Sequence, residues 1–212
     1  MPKPSFAKEG AWIQTNSGRQ VFFDAENIAG ENIWLPDIAH ALYNLQRFAG
    51  HLNSPGWTVG QHSMAMAIYY DLLDAKPLTI LDALLHDAHE AYMGDMPAPF
   101  KWAVPEVARV QDKLQLDIMK AIGITDSKHV KEPWDSDKHQ AKVDLMLCRA
   151  EAEMFFDTIR NRWTEELPAP DANIYKAIYR ATGTRKHNFI RTCRLNADAA
   201  GIRSSITKRF GA

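Results

Sequence analysis

The chain has 212 residues, of which 46% are hydrophobic and 24% charged; that is enough apolar material for one domain with its own core and too much for global disorder. Its formal net charge of -1 provides no overall field to draw in nucleic acid, so an anionic ligand must be met by local charge. Cys148 and Cys193 lie far apart and in no CxxC pair, which argues for a reducing compartment and against a disulfide framework or a thiolate zinc site.

The opening MPKPSFAKEG lacks the charged-then-apolar layout of a signal peptide, and no apolar run approaches a membrane span. The expectation is a cytoplasmic protein without membrane association. Trp12 and Ile13, then Val21, Phe22 and Phe23, flank Asn16-Ser17-Gly18, the pattern of a short hairpin. Leu35-Pro36-Asp37 opens a first helix, with Ile38, Leu42, Leu45 and Phe48 at helical spacing as far as Phe48. Gly50 and Ser54-Pro55-Gly56 mark a loop.

A second helix is predicted over 59–74, its end marked by Pro77, and a third over 79–93, stopped by Gly94. Pro97 and Pro99 predict an ordered loop, not a helix. A fourth helix covers 106–122, and 123–133 reads as a long connection. The fifth and longest runs over 135–160, and another covers 174–181. From Arg185 the chain is basic, with Lys186, Arg191, Arg194, Arg203, Lys208 and Arg209, and pattern does not determine its structure. Such a stretch is usually a solvated face, with an extra phosphate or an oligomer contact as alternatives. The reading is a mostly α-helical single domain over 1–212.

LLHDAHEAYMGDMPAPFK, residues 84–101, places ionisable groups inside an apolar helical pattern. His86 and Asp87 leave a helix axis about 100° apart, so both reach an ion only in a groove between helices. The preceding helix offers His62, and the long fifth helix offers Asp144 inside VDLMLC. A carboxylate there costs free energy unless it is paired or cation-bound. Asp135 and Asp137, near that helix start, are explained by capping and the helix dipole; Asp144 is not. Two imidazoles and two carboxylates suit a catalytic divalent ion such as Mn, Co, Ni, Zn or Mg. The competing readings are a satisfied core histidine for His62 and a surface ion pair for His86-Asp87. Met64/Met66 and Met93/Met96 read as core and loop filling, not as a cofactor box.

The order His62, His86-Asp87, Asp144 resembles the H…HD…D signature of HD-domain metal-dependent phosphohydrolases. Arg47-Phe48 lies where the bacterial 5'-deoxynucleotidase branch has Arg-Trp; His86-Asp87-Ala88-His89-Glu90 resembles its HDxxE, and the run Gly94 to Lys101 its GDxPxPxK. The resemblance covers about residues 35–160, leaving an N-terminal hairpin extension over 1–30 and a helical, basic C-terminal extension over 161–212. It implies an all-α HD-domain helical bundle with His62, His86, Asp87 and Asp144 as metal ligands. It also implies that Glu90 handles the attacking water, that Arg47 and Lys101 neutralise phosphate, that Asp95 contacts the sugar or the water network, and that Phe48 packs on the sugar.

Phe48 in place of Trp bears on deoxyribose selectivity, and Gln61 replaces the Glu before the first ligand, where a neutral amide makes the surroundings of the metal less negative. His89 receives no ligand role and is expected behind the ligands or at the surface; His40, His129, His139 and His187 are expected to be structural or exposed, and His51 to border the substrate. The implied activity is hydrolysis of the 5'-phosphoester of deoxynucleoside monophosphates by a homo-oligomer, with a deoxynucleoside triphosphate triphosphohydrolase of the similar phage branch as the alternative. A cyclic-nucleotide phosphodiesterase and a non-catalytic nucleotide-binding module are more distant rivals, and nucleic acid is not an expected partner.

Overall fold

The computed structural model describes residues 10–23, 32–53, 56–124 and 137–202. Over these the protein is all-α with one short antiparallel hairpin, β1 (Trp12–Gln14) and β2 (Gln20–Phe22), in which Ile13 faces Val21. The hairpin is tied to α1 (Leu35–Asn44) through Asp37 in its first turn. That carboxylate accepts from the Ser17 amide at 2.9 Å and from Thr15 Oγ1 at 2.8 Å. Leu35, Ile38 and Leu42 form the buried stripe of α1.

The helix expected to run through Phe48 stops at Asn44. The Arg47 amide donates to Trp57 O and the Val59 amide to Leu45 O, at 3.2 and 3.0 Å, so an antiparallel bridge between Gln46 and Thr58 replaces further helical turns. Arg47–Gly50 then forms a 3-10 turn in which Phe48 and Ala49 sit at φ 53 and 51. Residues with side chains rarely take that conformation, at a cost of about 1–3 kcal/mol each, and such strain concentrates at functional sites.

α2 (Val59–Leu72) is the central element, packed against α1 and against α3 (Pro77–Leu85), α7 (Asp137–Phe155), α8 (Ala172–Ala181) and α9 (Lys186–Ala199). It is enclosed on nearly every side, which explains why VGQHSMAMAIYYDL shows no single apolar stripe. Thr58 caps it by accepting from the Gln61 amide, and the Gln61 side chain returns the bond to the Thr58 amide. Gly60 allows α1 to approach: a Cβ there would lie 2.4 Å from the Tyr43 ring.

The single helix expected over 79–93 is two, α3 and α4 (Glu90–Met93), separated by tight turns at 86–89. Ala88, Glu90, Ala91 and Tyr92 each donate to the carbonyl three residues earlier, which winds the segment more tightly than an α-helix. The Pro97/Pro99 stretch, expected to be a loop, enters the short helix α5 (Ala98–Ala103); proline is tolerated in a first turn, where its missing N–H would have no intrahelical partner. α6 (Pro105–Ile122) follows, ending at Gly123 with φ 92. The basic C-terminal part contains α9, whose Phe189, Cys193 and Ala197 are buried.

Among the described residues no helix is long and apolar enough to cross a membrane. Both cysteines are free, and Met64 and Met66 are core residues. His139 bonds the Tyr70 hydroxyl at 3.0 Å. The Ser54-Pro55 part of the expected loop, most of the 123–133 connection with His129, Asp135, and the tail residues Arg203, Lys208 and Arg209 lie outside the described residues.

Candidate metal centre

Three of the four expected ligands, His62 of α2 and His86 and Asp87 of the α3–α4 turn, bring one ligand atom each within 4.8 Å of one another, while Asp144 of α7 falls outside that group and approaches it through His62. His62 Nε2 lies 3.3 Å from His86 Nε2, 3.1 Å from Asp144 Oδ1 and 3.7 Å from Asp87 Oδ2, and His86 Nε2 lies 3.1 Å from Asp87 Oδ2. Such spacings suit ligands that share one ion about 2.1 Å from each. His62 is fully buried, His86 and Asp87 are largely so, and Asp144 stands at the mouth with its side chain 40% exposed.

The outer nitrogens of both imidazoles are committed. His62 Nδ1 is 2.6 Å from Glu151 Oε1, and His86 Nδ1 is 2.8 Å from the Ala83 carbonyl oxygen. Both partners accept, so each Nδ1 donates outward and each Nε2 faces the other groups of the cluster. With both rings neutral, two Nε2 lone pairs would face each other beside the carboxylates, an arrangement that a divalent cation resolves, and a ligand histidine bonded outward to a carboxylate or carbonyl is the usual support for one. The residues present therefore fit a metal ion.

The electrostatics of these side chains agree. Burial and Arg47 push the His62 imidazole down, but Glu151 and Asp144 outweigh them and hold it at about 10. Burial also opposes a charged His86, and Asp87 reverses the balance, raising it. Asp87 resists the upward push of burial because His86, His62 and Arg47 hold it well below the usual carboxylate range. Asp144, only partly buried, is held below the usual carboxylate range because the hydrogen bond and charge of His62 outweigh its desolvation.

Glu151 was not foreseen. It is fully buried on α7, two turns after Asp144, and joins His62 to Arg47, whose Nε is 3.2 Å from its second oxygen. Burial favours its neutral form, yet Arg47 and His62 keep it below its ordinary range. Gln61, by contrast, does not approach the ligands: it belongs to the α2 cap, and its amide donates to the Thr182 carbonyl at 2.9 Å. The carboxylate that supports His62 comes from α7, not from the residue before it.

No family model matches the chain. It is 37% identical to the uncharacterized protein YfdR of Escherichia coli strain K12 over 114 residues, which cover 54% of this chain and 60% of that protein. The chain thus matches rather less than two thirds of that relative's length.

Around the ligands the remaining candidates divide. Arg47 is nearly buried, with Nη1 3.9 Å from Asp87 as well as its bond to Glu151. Phe48 stands edge-on to Phe156 at 5.3 Å and tilted to Trp163 at 6.3 Å, with the Arg47 guanidinium 5.5 Å over its ring. These two aromatic neighbours come from the end of α7 and the turn after it, and no spacing in the sequence connects them to Phe48.

Glu90 is 3% exposed, and its Oε2 has no hydrogen-bond partner among the described residues. Burial, then Asp87 and Asp95, raise its carboxyl well above the usual range. Asp95, just past Gly94, is raised by burial against the opposing charge of Arg47. Lys101 lies in α5, where its charge acts on both Asp95 and His89. His89 is buried, not at the surface, and its burial lowers the imidazole. His51 is exposed in the turn after Phe48.

Proposed function

We propose that this protein is a divalent-metal-dependent phosphohydrolase of (deoxy)nucleotides, of the HD-domain type. The observation that carries the reading is the pair of inward-facing Nε2 atoms 3.3 Å apart, each fixed by an acceptor on its Nδ1. His62, His86, Asp87 and Asp144 hold the ion, which when bound acidifies water and polarises a phosphoryl oxygen.

The chain's own groups do the rest. Glu90 offers a buried carboxyl beside Asp87 that takes the proton of the attacking water. Arg47 turns the Nη side of its fork to a phosphate while Glu151 fixes its Nε. Lys101 adds a point charge. Asp95, at the start of the loop that leads to α5, contacts the sugar or the water network, and the half-buried Phe48 packs on the sugar. The leading substrate is a deoxynucleoside monophosphate cleaved at its 5'-phosphoester.

The test is incubation of the Mn- or Co-loaded protein with deoxynucleoside mono- and triphosphates, with phosphate, pyrophosphate and triphosphate measured separately. Phosphate from the monophosphates supports the proposal. Inorganic triphosphate from a deoxynucleoside triphosphate redirects it to a triphosphohydrolase, and no release from either class rejects it.

A further inference from the structure

We propose that Asp87, His89 and Glu90 form a second divalent-cation site that shares Asp87 with the first. One ligand atom from each of the three lies within 4.8 Å of the others. The tight winding at 86–89 brings this about. In turns closed three residues apart, positions i and i+3 eclipse, so Asp87 and Glu90 stack on one side with His89 beside them, while His86 turns toward α2.

Two further observations point to a cation. The first is the tautomer of His89. Gln115 donates through Nε2 to the Leu85 carbonyl at 2.8 Å, which fixes the amide so that Oε1 faces His89. That oxygen lies 3.2 Å from both the His89 amide nitrogen and its Nδ1. An acceptor there places the proton on Nδ1 and leaves Nε2 with a free lone pair, the form in which histidine binds metal. The second is Glu90, whose Oε2 is buried without a hydrogen-bond partner among the described residues. A buried, unsatisfied carboxylate oxygen calls for a missing partner.

One imidazole and two carboxylates form a mixed N/O set suited to Mn. The proposal rests on the metal-centre reading above through the shared Asp87.

Equilibrium dialysis of metal-stripped protein against Mn, with bound metal measured by elemental analysis and by electron paramagnetic resonance, tests it. The wild type is expected to take up two ions per chain with the exchange-coupled spectrum of a carboxylate-bridged pair. His89→Gln keeps the volume of the ring and is expected to bind one ion, with the spectrum of isolated Mn. A wild type that binds one ion, lost in His62→Ala and kept in His89→Gln, overturns the second site and leaves the first intact. Mn uptake unchanged in both variants overturns both readings. Should His89→Gln not fold, the stoichiometry and coupling of the wild type decide the matter alone.

Discussion

His62 and His89 are both buried imidazoles with one ring nitrogen engaged, yet their surroundings differ. His62 Nδ1 meets a carboxylate that is itself held by Arg47, so the floor of the pocket is a chain of charge-assisted bonds closed on every member. His89 Nδ1 meets a neutral amide, and beside it Glu90 keeps an oxygen without a partner among the described residues. The floor spends its polar groups on holding one another; the rim leaves its groups available. The cluster is thus braced by residues distant in the chain, while the groups proposed to act lie on one short segment, 86–101.

The largest expected effect lies at the rim. Glu90→Gln should lower turnover by about 10²–10⁴-fold, the range for loss of a general base, without lowering the thermal midpoint. Steady-state rates and a melting curve check the two halves together. A variant that lost stability with activity would remove the distinction between rim and floor.

The floor should behave in the opposite sense. Glu151→Ala strands Arg47 and frees His62, and breaking a buried pair by removing one partner costs about 3–5 kcal/mol, measurable by urea unfolding of the metal-free protein. Glu151→Gln keeps the shape but not the charge and should weaken metal binding about 10–100-fold. Metal affinity unchanged in that variant would mean that the His62–Glu151 bond does not support the site.

These two residues also show what the sequence makes legible. His86-Asp87 and Glu90 stand out because ionisable residues recur inside an apolar helical pattern, and Asp144 because it lies mid-helix with no capping role. Glu151 is hidden because Glu153 follows two residues later in the same helix and looks equivalent. Packing alone separates them: Glu151 is sealed against His62, while Glu153 faces outward to Arg149 and Tyr175. The hairpin and most helix positions follow from periodicity and turn residues. The left-handed Phe48 does not, because the strand-like bridge to Thr58 that forces it is a long-range pairing. Nor does the break at 86–89, where apolar spacing continues although the hydrogen bonding changes.

A smaller effect tests how the floor is positioned. Gly60→Ala would press a methyl group into the Tyr43 ring two residues before His62, and overpacking of this kind costs about 1–3 kcal/mol. Chemical denaturation should show the loss, and a Tyr43→Leu background should relieve part of it.

The smallest effect concerns alkaline pH. Burial raises the Tyr43 hydroxyl to about 12, against its bond to Thr184. The folded state thus keeps a proton that the unfolded chain releases near 10, and stability present below that value falls as pH rises toward 12. Burial likewise raises Tyr69 to about 12, so Tyr43→Phe should flatten the alkaline limb of a stability–pH curve only in part.

His62 and His86 are expected to share one ion through Nε2 while each Nδ1 keeps its proton. Isotope-labelled histidine NMR of the protein loaded with a spin-active cadmium ion tests this directly. One-bond metal–nitrogen coupling at Nε2 of both residues, with both Nδ1 atoms still protonated, is the predicted result. Coupling absent from either ring, or appearing at Nδ1, would contradict it.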